Sequence, residues 1–135
     1  MSEVVKNKKR YGVMRLTDAL GYRLPLAGFV SILHRASGLL MFLLLPFVLY
    51  LLEQSLQSEV SFAMMHIFAS SIIVKLVLLA LVWAYLHHFS AGVRHLFMDF
   101  HVGVDKDSGR RSAVAVLLIS LGLTALVALK LFGVF

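Results

Sequence analysis

The chain has 135 residues, of which 60% are hydrophobic and 15% charged, with a formal net charge of +6 and no cysteine. That balance leaves too little polar surface for a soluble domain of this length and points to a membrane protein. The missing cysteines exclude disulfides, thiolate zinc sites, cysteine-ligated iron–sulfur clusters and cysteine nucleophiles within this chain.

Residues 1–23 read as a polar, basic tail carrying Lys6, Lys8, Lys9, Arg10, Arg15 and Arg23. No compact apolar run with a small-residue cleavage site follows, so a signal peptide is not expected. Three apolar segments come next, each with the roughly 20 residues needed to cross a hydrocarbon core about 30 Å thick. The first covers about 27–52 and is interrupted by His34 and Arg35. A short link with Glu53, Glu59 and no Lys or Arg leads to the second, about 61–93, which contains Lys75. The next link holds Arg94, Lys106, Arg110 and Arg111, with the turn residues of "VDKDSGRR"; Ser112 is the expected cap of the third helix. The third segment, about 112–134, contains Lys130. None of the three alternates with period two, so the reading is all-α: a bundle of three transmembrane helices within residues 24–135, not barrel strands.

The basic residues flank alternate links, which puts the amino terminus and the second link on the cytoplasmic side of a bacterial inner membrane (or, less favoured, on the matrix side of a mitochondrial one). Basic flanks of this kind need no nucleic acid. So small a bundle has little lipid-free interior and is expected to be completed by a partner anchor subunit.

Ionisable groups inside a span cost roughly 2.5–3.5 kcal/mol at mid-membrane, so each needs a reason. Lys130 lies near a helix end. Lys75 is deeper, and its stem either reaches the outer face or pairs with a neighbour. In "SILHRASG", Ser31 and Arg35 lie four residues apart on one helical face, with His34 at its border and the small residues Ser37 and Gly38 after it. One reading is an interfacial arginine and histidine with Ser31 bonded to its own backbone. The other is a polar pocket at the membrane edge, where Ser31 offers a hydroxyl to a ligand carbonyl and Arg35 supplies fixed positive charge.

The stretch "AYLHHFSAGVRHLFMDFHVG" divides by helical spacing. His88, Ala91, Gly92, His95 and Asp99 form one stripe. A neutral imidazole is an axial ligand for haem iron, and Gly92 one turn on would let a flat macrocycle lie near the backbone. The other reading of His88 is a hydrogen-bonded histidine between helices. His87 points about 100° away, toward headgroups, another helix or a haem propionate. His95 and Asp99 are spaced as a pair across one turn. His66 and His101 carry no functional argument.

Two motifs now stand in order: "RLPLAGFVSILHRASG", containing S-x-x-H-R-x-[ST]-G, and "HHFSAGVRHLFMDFHVG", containing H-x-x-x-G-x-R-H-x-x-x-D. Together they resemble the cytochrome b556 anchor subunits of succinate dehydrogenase, respiratory complex II. The resemblance runs over nearly the whole chain from about Arg23, and residues 1–21 depart from it most. It implies that His88 is the axial ligand of a haem b whose second ligand comes from the partner anchor subunit. It implies that Ser31 and Arg35 line a quinone site, that His34 lies near the haem propionates, and that Arg94, His95 and Asp99 lie at the cytoplasmic helix end near the iron–sulfur subunit.

The expected function is therefore membrane anchorage for a flavoprotein subunit and an iron–sulfur subunit, which would pass electrons from succinate to ubiquinone or menaquinone. Ser31 would hydrogen-bond a quinone carbonyl, and Arg35 would stabilise negative charge developing on a quinone oxygen. A quinol–fumarate reductase anchor would look the same and run the reaction in reverse. A small proton-coupled transporter is the rival of another class, but it typically needs a membrane-embedded acid, and no Asp or Glu lies within the spans. A purely structural assembly subunit without cofactor is the third reading.

Overall fold

The computed structural model describes residues 24–133. The expected amino-terminal tail, residues 1–23, lies outside them, as does the end of the third expected span. Four helices follow in order: α1, Leu26–Gln57; α2, Glu59–Ala69; α3, Ile72–Asp99; and α4, Lys106–Leu131. Of these, α1, α3 and α4 are long and apolar enough to cross a membrane. At 32 residues, α1 is about 48 Å long, well beyond the hydrocarbon thickness. It begins after Pro25, and Pro46 inside it leaves the carbonyl of Phe42 without its usual helical donor.

Serines set the first two breaks. Ser58 is extended (φ −164°, ψ 165°), closing α1 and opening α2. Its hydroxyl accepts the Ser61 backbone N–H at 3.1 Å, while the Ser61 hydroxyl accepts the Ser58 N–H at 3.0 Å, a reciprocal capping box. Ser71 then caps α3 by accepting the Val74 N–H at 3.4 Å. The continuous helix expected over 61–93 is thus divided at residues 70–71, and α3 alone has membrane length. Both flanks of the break are apolar, so hydropathy does not reveal it; the paired serines do, by offering backbone N–H groups an alternative acceptor.

The start of α4 also differs from expectation. Asp105, not Ser112, is the cap, and its carboxylate accepts the Ser108 N–H at 2.9 Å. That hydrogen bond, first among several, holds the Asp105 carboxyl below the usual carboxylate range. Ser112 lies within the helix, and its hydroxyl donates to the Gly109 carbonyl at 3.2 Å. The turn before α4 contains Gly103 at φ 72° and His101 at φ 60°, left-handed positions that reverse the chain after α3.

Helix α3 packs against both α1 and α4, which also touch each other. The amino-terminal half of α1, the carboxyl-terminal half of α3 and the start of α4 converge at one end, around buried Val30, Ala91, Ala113 and Val116. Small residues at Ala91 and Ala113 let the helices approach closely. Elsewhere large apolar side chains face outward, Phe42 and Leu56 being 70% and 76% exposed. Such a surface is suited to lipid or to a partner's helices.

Candidate functional site

The convergent end is where polar side chains enter the bundle. His88, on α3, places Nδ1 2.9 Å from the backbone carbonyl oxygen of His34 on α1. A carbonyl only accepts, so this bond assigns the proton of a neutral imidazole to Nδ1 and leaves the Nε2 lone pair free. The Ser37 hydroxyl donates to the same His34 carbonyl at 2.8 Å and stands 3.4 Å from His88 Nδ1. Ser37 is fully buried, although it lies on a helix that is otherwise largely exposed.

Gly38 makes this approach possible. A Cβ there would sit 2.9 Å from His88 Cε1 and 3.2 Å from Nδ1, closer than such contacts tolerate. The glycine that clears space for His88 is therefore Gly38 across the seam. Gly92, one turn along α3, instead faces His34, and a Cβ there would meet Nε2 at an ordinary 3.6 Å.

The His34 ring stacks on His88, centroids 4.1 Å apart and planes inclined by 16°. The His95 ring also approaches His34, with centroids 5.1 Å apart and planes inclined by 49°. The seam between α1 and α3 thus gathers His34, Ser37, Gly38, His88, Gly92 and His95. Ser31 is half-buried and Arg35 exposed, on adjoining positions of α1. Arg35 Nε donates to the Ser31 backbone carbonyl one turn earlier at 3.4 Å. Asp99, the last residue of α3, is exposed.

The other face of α3 carries a second stripe, Ala84, His87, Ala91 and Arg94, all buried. Of the directions open to His87, the structure selects another helix: its Nδ1 lies 3.4 Å from the Ser120 hydroxyl of α4, and Trp83 stacks on it at 5.5 Å. His87 Nε2 is buried without a hydrogen-bond partner among the described residues. Arg94 turns inward, and its Nε donates to the Ser112 hydroxyl at 3.0 Å. The 3-4-3 spacing of this stripe is present in the sequence, although spacing alone names no helix for it to meet. Lys75 has a neighbour as well, with Nζ 5.7 Å from the centroid of the Phe132 ring. His66 and His101 are exposed.

The α1–α3 seam fits a haem through one axial imidazole. His88 Nδ1 is bonded to a carbonyl and Nε2 is the nitrogen that would meet a metal, the arrangement that fixes the tautomer of metal-bound histidines. Among the described residues no three His, Asp or Glu side chains converge to hold a metal ion by themselves. One imidazole from this chain is all that a haem shared with a partner would take from it.

Comparison with known proteins gives a consistent result. Residues 15–127 match the family model described as succinate dehydrogenase/fumarate reductase transmembrane subunit. The chain is 35% identical over 104 residues to the succinate dehydrogenase cytochrome b556 subunit of Coxiella burnetii (strain RSA 493 / Nine Mile phase I), covering 76% of this chain and 83% of that one. It is 30% identical over 111 residues to the protein of the same name from Paracoccus denitrificans, covering 82% and 85%. The Rickettsia felis (strain ATCC VR-1525 / URRWXCal2) protein of that name is 30% identical over 105 residues, covering 78% and 82%.

Proposed function

The chain belongs to the family of succinate dehydrogenase/fumarate reductase transmembrane subunits, and from that premise we propose that it is the haem-carrying anchor subunit of a succinate:quinone oxidoreductase. Three helices of membrane length and the matched family make it a multi-pass membrane protein. The finer reading assigns a haem b to His88 Nε2, with the second axial ligand supplied by a partner anchor subunit. The observation that carries it is the His88 Nδ1–H bond to the His34 carbonyl at 2.9 Å, with the imidazole seated against Gly38. A haem held there supplies one-electron redox chemistry.

The chain's own residues then have distinct tasks. His34, stacked on His88, braces the imidazole and lies at the side where haem propionates would be met. Ser31 offers its hydroxyl to a quinone carbonyl, and Arg35, exposed one turn on, stabilises negative charge as a quinone oxygen gains electron density. Two electrons and two protons convert the quinone to quinol. The electrons come from an iron–sulfur subunit fed by a flavoprotein that oxidises succinate, and the protons enter from water at the membrane edge. The cytoplasmic face of a bacterial inner membrane is the side that the loop charges favour.

The complex purified from membranes tests this reading. A reduced-minus-oxidised spectrum of b type, together with a co-purifying flavoprotein and iron–sulfur protein, is the expected result. A colourless chain purified under conditions that retain haem contradicts it.

A further inference from the structure

We propose that the groove between α3 and α4 binds a phospholipid, with its phosphate held by Arg94 and one acyl chain lying along the apolar wall. The groove has a volume of about 490 Å³. Phe89 and Val93 of α3 and Val116 and Ile119 of α4 line its inner half, Phe97, Gly103 and Ser108 line it toward the helix ends, and Arg94 and Ser112 lie between. It is on a different face of α3 from His88, so the inference is independent of what binds at the α1–α3 seam.

Arg94 is only 6% exposed, and a guanidinium keeps its proton. A buried cation in a membrane protein needs an anion or a full set of acceptors. Arg94 has one assigned bond, from Nε to the Ser112 hydroxyl at 3.0 Å, and that hydroxyl is neutral. The same hydroxyl donates its proton to Gly109. Among the described residues no carboxylate pairs with Arg94. The remaining N–H groups of the guanidinium are a forked donor, the shape that meets two oxygens of a phosphate.

The walls say what else the ligand carries. They are mostly apolar, and Val93, Phe97 and Ile119 are 37%, 58% and 52% exposed along the groove's side. From Ser112 the groove continues about 10 Å along α4 to Ile119 at ~1.5 Å per residue, toward mid-membrane. A buried cation partway along the groove, with an apolar wall of Val93, Val116 and Ile119 on its mid-membrane side, suits a phospholipid, whose phosphate would meet Arg94 and whose chain would lie along that wall. Lys106, Arg110 and Arg111 at the start of α4 add to the positive field at that end, against Asp105 and Asp107.

The test uses the complete membrane complex, delipidated in mild detergent, titrated with dioleoylphosphatidylglycerol and examined by native mass spectrometry. The wild-type complex should retain one lipid more than Arg94→Gln, whose affinity at that site should fall at least tenfold. Arg94→Lys should keep part of the binding, and dioleoylglycerol, with the same chains and no phosphate, should not compete. Ile119→Trp fills the groove from its exposed rim and should lose the same lipid with Arg94 intact, which decides the matter if Arg94→Gln fails to assemble. Equal lipid retention by wild type and Ile119→Trp, full competition by dioleoylglycerol, or a partner-subunit carboxylate found paired with Arg94 would overturn the proposal.

Discussion

The Ser37 hydroxyl and the His88 Nδ1–H converge on one acceptor, the His34 carbonyl oxygen, at 2.8 and 2.9 Å. Two donors sharing an oxygen each bond to it more weakly than either would alone. Ser37→Ala removes the competitor, so the His88 bond should strengthen and the imidazole should become a better donor to iron. The oxidised metal gains most from a more basic ligand. The expected outcome is a haem midpoint potential lower by about 20–60 mV, the one-electron equivalent of roughly 0.5–1.5 kcal/mol for one hydrogen bond. A redox titration of the purified complex checks this, and an unchanged or raised potential would show that Ser37 does not act through His88. Ser31 and Arg35 make a separate prediction. Ser31→Ala and Arg35→Gln should each lower quinone reduction about tenfold or more, while succinate oxidation with an artificial acceptor persists. Equal loss of both activities would mean failed assembly instead. At this scale the sequence was informative where spacing alone decides: Ser31 with Arg35, and His88 apart from His87. It was silent on Ser37 as a partner of His88, because those residues meet only when α1 and α3 cross, 51 positions apart in the chain.

Helix α1 reaches α3 so closely only because position 38 has no side chain. Gly38→Ala would push a methyl to 2.9 Å from His88 Cε1, so the ring or the helix must move. Overpacking of this kind typically costs about 1–3 kcal/mol. Reduced haem occupancy and a lower unfolding temperature are expected, whereas Gly92→Ala, with its nearest atom at 3.6 Å, should be milder. Identical haem content and melting in both variants would refute this account of the seam. At the start of α4, the depressed Asp105 carboxyl carries a pH signature. A group whose folded value is lowered adds stability above its unfolded value, near 3.9, and loses it as pH falls through the lower folded value. The cap should therefore hold from neutral pH down to about pH 4 and fail only below that. Amide-exchange protection at Ser108 should follow this course and should already be absent at pH 7 in Asp105→Ala; protection unaffected by the substitution would show that another group caps the helix. The three long helices were legible as apolar runs, but their ends were less so. Hydropathy marks where lipid-compatible residues stop, whereas helices stop where a side chain captures a backbone N–H. Asp105 does so before the apolar run begins, and Ser71 does so in the middle of one.

Among the described residues many more large apolar side chains are exposed than buried, and a crowded end brings together the start of α1, the close of α3 and the start of α4. That convergence brings Ser31, His34, Arg35 and His88 to one end of the bundle, an arrangement that antiparallel spans and the order of the motifs already implied. Because the chain has no cysteine, its orientation is open to direct measurement. Single cysteines at Gln57 and Lys106, both exposed, should report opposite sides. An impermeant maleimide should label Gln57→Cys in intact spheroplasts and Lys106→Cys only after lysis; the reverse pattern would overturn the assigned orientation and put the quinone site on the wrong side for its electron donor.

The central claim rests on one ring nitrogen, His88 Nε2. Replacing His88 with leucine in the assembled complex and recording its reduced-minus-oxidised and electron paramagnetic resonance spectra tests that claim most directly. The account predicts loss of the six-coordinate, low-spin b-type signal while the flavoprotein and iron–sulfur subunits remain bound; an unchanged haem spectrum in that variant would contradict it.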